Sequence, residues 1–345
     1  MKKALIVSPY LDHLGGGERY MLTCGQALES LGYVVSIGWD NLESINNITK
    51  LLAIDLKRPV LDPKIKYLYH NTSPLSMFLA TRPYDVVVYL SDGSIPLLGG
   101  KINLLHMQVP FHNVGGSSLK NQLKLKTIKR VIVNSNFTKG IVDHEYGFDS
   151  YVLYPPVPQN IKVQDKDKII LSVGRFEPYL NVKKQDVLIN AFKKLSRDLP
   201  DWKLVLVGGR GEDGWIEKLR SMANGYNIEL LPNAKYETLI DLYGRAKIYW
   251  HAAGYGVDQE RCPELVEHFG ISTVEAIAAG SLPLVYKAGG QTEIVKTDNL
   301  LWQKEDELIA KTKILVEANF SDYESILDVS SYTVSAFTTS LSKLL

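Results

Sequence analysis

Short apolar runs alternate with amphipathic stretches along the first half of the chain: KALIVS, then GGERYMLTCGQALESLG, then YVVSIGW, with DVVVYL, INLLHM and RVIVNS further on. Continuous apolar strands separated by helices predict a parallel sheet covered on both faces. The pattern starts again at IILSVGRF and continues through KQDVLINAFKKLSRDL, KLVLVGG, GWIEKLRSMANG, IELL, KYETLIDLYGRA and IYWHAA. Between the halves, Pro155 to Lys168 is first proline-rich and then charged, which is linker composition. The fold class is therefore α/β, with two Rossmann-like, doubly wound domains expected over residues 1–157 and 165–329. A last amphipathic helix, over about 330–345, is expected to pack back on the first domain. Open α/β sheets bind ligands beyond the carboxyl ends of their strands, so two such domains are expected to face each other across a cleft.

Composition narrows the class. A chain of 345 residues suits two domains, and 45% hydrophobic with 22% charged residues is ordinary for globular proteins, which argues against disorder and fibrous folds. A net charge of +1 gives no global attraction to nucleic acid, and no nucleic-acid partner is expected. Cys24 and Cys262 lie far apart without metal-ligand spacing, which fits a reduced, cytoplasmic protein. The apolar run after Met1-Lys2-Lys3 stops at Ser8-Pro9, too short for a signal peptide or a membrane span, and reads as a buried strand.

Candidate chemistry begins with Glu267 and Glu275 in CPELVEHFGISTVEAIAAG. Ser272-Thr273-Val274-Glu275 matches a capping box, which accounts for Glu275 but not for Glu267. On one helix the two carboxylates would stand about 12 Å apart along the axis and about 80° apart around it, and would not converge. If the helix begins at Ser272, Glu267 lies in the preceding loop, Gly270 permits a bend, and both can border one ligand. The other reading of Glu267 is a solvated surface charge.

Gly15, Gly16 and Gly17 follow the first strand and precede a helix, where backbone N–H groups can approach a phosphate; a tight turn without a ligand is the other reading. Gly174-Arg175 ends the strand IILSV, and Lys183 precedes the next helix. Two such cations can neutralise a diphosphate, the arginine by its planar fork and the lysine as a point charge. Gly209, Gly211 and Gly214 satisfy G-x-G-x-x-G, with Glu229 following Gly209 by 20 residues. That is a dinucleotide fingerprint and implies an NAD-dependent enzyme. It lies on a later βα unit than the one ending at Gly174, rather than opening a domain.

Together these residues resemble retaining glycosyltransferases of family 4, which have the GT-B fold. The resemblance runs over nearly the whole chain: the Gly15-Gly16 turn with Glu18, NSNFTKGIV, YPPV, GRFEPYLNVKKQDVLINAF, LVLVGG, LIDLYGRAKIYWHAA, Glu267-x7-Glu275 and AIAAGSLPLVYKAGGQTEIV. It implies that Arg175 and Lys183 hold the diphosphate of the donor and that Gly16 lies against it. Glu275 would bind the nucleotide ribose and Glu267 the hydroxyls of the transferred sugar, with Phe269 and Gly270 in the loop lining that sugar. Gly15, Gly174 and Gly209 are counted with the nucleotide-binding positions. His106, in INLLHM, matches an acceptor-side histidine facing the donor sugar, with His112 as the alternative.

Eight positions separate Arg175 from Lys183, more than is usual in that family, so adjacent Lys184 is a second candidate. The segment GYGVDQERCPELV is also longer, and is similar to eukaryotic mannosyltransferases that extend lipid-linked oligosaccharides. The implied activity is transfer of a hexose, mannose foremost, from a GDP- or UDP-linked sugar to a glycan or lipid-linked acceptor with retention. The nucleotide sugar is a substrate, and no cofactor or metal is implied. Asp165-Lys166-Asp167, the one D-x-D, reads as a solvated run. A GT-B nucleotide-sugar epimerase and a binding module without turnover are the alternatives. Residues 120–130, KNQLKLKTIKR, carry five basic residues and no acid, and can touch an anionic membrane from the cytoplasmic face or stand as an exposed basic helix.

Overall fold

The protein is described by a computed structural model covering residues 1–11, 15–70, 73–157, 161–179, 183–325 and 327–345. Leu14, at the start of the glycine turn, and residues 158–160 of the linker segment lie outside the described residues. The chain divides into two compact units, Met1–Pro158 with Ser331–Leu345, and Gln159–Ser330.

The first unit carries a parallel seven-stranded sheet. Its strands are β1 (Lys3–Val7), β2 (Val34–Ile37), β3 (Val60–Leu61), β4 (Val86–Ser91), β5 (Ile102–Met107), β6 (Arg130–Val133) and β7 (Tyr151–Val152), in the order β3-β2-β1-β4-β5-β6-β7. Leu5 stands opposite both Ser36 and Val87. Strand period splits β1 between two cores. Ala4 and Ile6 pack with Tyr20, Met21 and Cys24 of the helix Gly16–Ser30 and with Phe337 and Leu341 of the helix Val334–Ser342. Leu5 and Val7 pack with Ile65, Tyr69 and Met77 on the other face. This double burial is why the strand reads as one unbroken apolar run.

The second unit repeats the arrangement with β8 (Asp167–Val173), β9 (Lys203–Gly208), β10 (Ile228–Pro232), β11 (Ala246–His251), β12 (Leu282–Tyr286) and β13 (Leu301–Trp302). The order β10-β9-β8-β11-β12-β13 reverses direction between β8 and β11, which is where open sheets of this kind place a ligand.

The segment read as a linker is anchored in this unit. Ile161 is buried in its core, and Lys166 Nζ donates to the carbonyls of Gly244 at 2.7 Å and Ala279 at 2.5 Å. Both carbonyls stand at helix C-terminal ends, where a cation is favoured. Asp167 belongs to β8 and accepts from Arg245 Nε at 2.8 Å, while Asp165 is exposed. No helix among the described residues is long and apolar enough to cross a membrane.

Candidate functional site

The second unit brings its polar side chains to the carboxyl ends of β8 and β11. Gly174 and Arg175 follow β8, and Arg175 is partly exposed. Backbone bonds brace this turn: the Gly174 N–H donates to Val207 O at 2.8 Å, the Phe176 N–H to Gly209 O at 3.0 Å, and Gln185 Nε2 to Arg175 O at 2.8 Å. The Lys183 stem crosses the turn at Gly174, where an added Cβ would stand 2.5 Å from Lys183 Cγ. Lys184 instead caps the helix Gln185–Leu195 in a left-handed conformation with φ +53.

Lys183 does not stand as an isolated phosphate ligand. Its Nζ donates to Glu267 Oε2 at 2.6 Å, across 84 positions of sequence, with both side chains largely buried. His251, the last residue of β11, brings Nε2 to 3.0 Å from the same oxygen, at an angle short of a straight hydrogen bond. Its Nδ1 accepts the Ala253 N–H at 3.3 Å, which leaves the ring proton on Nε2. Burial opposes ionisation of Glu267, but the Lys183 ammonium and the His251 N–H outweigh it and hold the carboxyl well below the usual carboxylate range. Burial pushes His251 down, against the pull of Glu267, so the ring is neutral near pH 7.

Glu275 lies beyond the bend that the sequence anticipates. Gly270, at φ +112, starts the helix Ile271–Ala278, placing Glu267 in the preceding loop and Glu275 on the helix. The capping box does not form. The helix starts one residue before Ser272, no side chain caps it, and Ser272 Oγ accepts from Tyr249 OH at 2.8 Å. Glu275 is buried and accepts from Tyr243 OH at 2.9 Å. Between them sits the buried Tyr249, whose phenol burial pushes up, with both carboxylates adding to the shift. The loop carrying Glu267 is pinned by the Gly290 N–H, which donates to Glu267 O at 2.8 Å.

Phe269 is only 3% exposed, so its ring belongs to the packing beneath the loop, and any contact of this residue with a sugar is left to its main chain. The G-x-G-x-x-G run has a structural explanation. A Cβ on Gly211 would lie 2.1 Å from Phe176 O, so the run serves close packing of two strand-end loops. Gly209 is exposed and gives its carbonyl to Phe176. Glu229 lies within β10 and pairs with Lys203 at 2.8 Å, rather than standing free at a strand end.

In the first unit, Gly15 is the N-cap of the helix Gly16–Ser30, and no side chain caps that helix. His106 does not occupy the expected position. It is the penultimate residue of β5, fully buried, stacked on Tyr20 with ring centroids 3.8 Å apart, and its Nδ1 meets Ile132 O at 3.2 Å. Burial pushes its pKa down to about 3. His106 is thus packed as a core histidine under the helix Gly16–Ser30. His112 is partly exposed, next to a loop whose Asn113, Val114 and Gly116 N–H groups donate to Glu145.

Residues 156–325, nearly the whole second unit, match the family described as Glycosyl transferases group 1. Among curated relatives, a Dictyostelium discoideum protein named GDP-Man:Man(3)GlcNAc(2)-PP-Dol alpha-1,2-mannosyltransferase is 30% identical over 188 residues, 48% of this chain and 35% of that protein. The aligned stretches thus span about a third of the length of the first curated relatives matched. Two solved structures resemble the entire chain. The Anabaena protein HepE, in complex with UDP and glucose, has a TM-score of 0.68 at 16% identity and covers 99% of both chains. A Rickettsia africae glycosyltransferase has a TM-score of 0.70 at 17% identity, over 99% of this chain and 97% of that one. The fold is GT-B, with two Rossmann-like parallel sheets.

Proposed function

We propose that the protein is a retaining, metal-independent glycosyltransferase that moves a hexose from a nucleoside diphosphate sugar to a hydroxyl of a glycan or lipid-linked acceptor. One observation carries this reading: a largely buried carboxylate, Glu267, met at one oxygen by Lys183 and His251, at the point where the strand order of a Rossmann-like sheet reverses and where Arg175 follows β8. Cations beside a buried carboxylate suit a ligand with an anionic end and a hydroxyl-bearing end, since a carboxylate repels phosphate and accepts from hydroxyls. Arg175 and Lys183 hold the diphosphate, Glu267 accepts from the sugar and Glu275 from the ribose. In the reaction the acceptor oxygen bonds to the anomeric carbon while the bond from that carbon to the diphosphate oxygen breaks. The acceptor's proton passes to the departing diphosphate, whose charge Arg175 and Lys183 stabilise.

The mannosyltransferase relative favours GDP-mannose as the donor. Basic residues of the helix Leu119–Leu125, with Leu119 and Leu123 exposed, support contact with an anionic membrane. The deciding experiment is calorimetric titration of the protein, freed of divalent metal by chelation, with GDP, UDP, ADP and NAD. Preferential binding of one nucleoside diphosphate supports the reading and names the base, whereas preference for NAD would return the Gly209 fingerprint to the cofactor role. Incubation with a sugar nucleotide alone then separates a transferase from an epimerase, which converts the donor without an acceptor.

A further inference from the structure

Glu267 is gripped at one oxygen only. Lys183 Nζ donates to Oε2 at 2.6 Å, and His251 Nε2 stands 3.0 Å from the same oxygen but too bent to count as a formed hydrogen bond while the lysine is there. Among the described residues no hydrogen bond reaches Oε1. The two holders differ in freedom. Lys183 ends a flexible stem whose head is a compact charge, and a diphosphate competes with Glu267 for that charge. His251 cannot follow. Its ring is buried at the end of β11, and the bond from the Ala253 N–H to Nδ1 fixes both its orientation and its tautomer. A neutral ring in that tautomer offers Glu267 an N–H without adding a positive charge that would compete with Lys183.

We propose that His251 is a positioning residue: it keeps Glu267 Oε2 in place when Lys183 turns to the diphosphate, and so presents Oε1 to a hydroxyl of the transferred sugar. This inference rests on the donor-site reading above. Without the ring N–H, the carboxylate keeps only the lysine and swings with it. The sugar then loses its acceptor while the nucleotide keeps its cations.

Two substitutions separate positioning from mere bracing of the strand end. In His251→Gln the amide nitrogen reaches to where Nε2 stands, and in His251→Asn the amide oxygen takes the place of Nδ1. Calorimetry would compare GDP with GDP-mannose and UDP with UDP-glucose in wild type and both variants. The expected result is bare-nucleotide affinity within about twofold of wild type in both variants. The extra affinity supplied by the sugar should be kept within about threefold by His251→Gln and reduced about tenfold or more by His251→Asn.

The reverse order would assign His251 to bracing Ala253 and overturn the proposal, as would equal retention by the two or loss of bare-nucleotide binding in both. Should His251→Asn not fold, Lys183→Met gives a second test, because His251 alone then holds Glu267. The sugar's contribution persists there under the proposal, and its disappearance overturns it. A wild-type protein that binds none of these nucleotides would instead refute the donor-site reading itself.

Discussion

Gly174 and Lys183 occupy one another's space: a Cβ on the glycine would stand 2.5 Å from Cγ of the lysine. The contact is with the root of the side chain rather than its mobile end, so a methyl group there must displace the whole stem. Gly174→Ala should weaken nucleoside diphosphate binding by about tenfold, roughly 1.4 kcal/mol, with an unchanged circular dichroism spectrum. Wild-type affinity in that variant would remove Lys183 from the phosphate site.

Arg175 and Lys184 test the assignment of charge from two sides. Arg175→Ala should lower turnover by roughly 10²–10³, the cost of losing a group that stabilises developing charge. Lys184→Ala should stay within about threefold of wild type, because Lys184 caps a helix while Lys183 meets the cluster. Steady-state rates with a donor and an accepted acceptor check both, and a Lys184→Ala enzyme as impaired as Arg175→Ala would exchange the roles of the two lysines.

Glu267→Ala should impair transfer more than binding of the bare nucleotide, since its proposed partner is the sugar. The same carboxyl has a pH signature. Its folded pKa is depressed, so its contribution to stability is fully present above the ordinary value of 4.5 and is lost as pH falls through the lower folded value. Between pH 7 and 5 the stability difference between wild type and Glu267→Gln should therefore be flat, with a decline only below about pH 4.5. A difference that changes between pH 7 and 5 in urea unfolding would contradict the depressed carboxyl.

His106 acts in the opposite pH range. Its folded pKa, about 3, lies below the ordinary 6.5, so the unfolded chain takes up a proton first. Stability is full above pH 6.5 and falls progressively toward pH 3, by about 1.4 kcal/mol per pH unit from this residue. His106→Phe, which keeps a ring on Tyr20, should abolish that share of the slope in urea unfolding and leave turnover near wild type. A large loss of turnover with an intact fold would restore the catalytic role that its burial denies.

Leu119 and Leu123, one helical turn apart and 84% and 63% exposed, make the membrane proposal testable without touching the donor site. Changing both to Ser should reduce sedimentation with phosphatidylglycerol vesicles severalfold while leaving nucleotide affinity unchanged. Equal sedimentation with neutral and anionic vesicles would dismiss the basic face as a membrane contact.

The sheets were legible because parallel strands buried on both faces carry no polar interruptions, as KALIVS and KLVLVGG show. The bend before Glu275 was legible through Gly270. The site's partners were not. Lys183 and Glu267 are far apart in sequence, and nothing local to either announces a contact. The two strand-end histidines are instructive. INLLHM and IYWHAA look alike, yet His106 is one position short of its strand's end and faces the core, while His251 is the last residue of its strand. That single register step decides which of them meets the site, and it follows from where each strand stops, which propensity fixes poorly. The glycine fingerprint misled for a related reason: close approach to a neighbouring carbonyl demands the same residue as close approach to a pyrophosphate.

Phe337 and Leu341, in the core of the first unit, lie beyond the whole of the second unit in sequence. During synthesis, the sheet face carrying Ala4 and Ile6 has the helix Gly16–Ser30 to cover it but lacks Phe337 and Leu341 until the second unit has been translated. The core of the amino-terminal unit is therefore completed by residues translated after the whole second unit, a departure from simple amino-terminal-first domain folding.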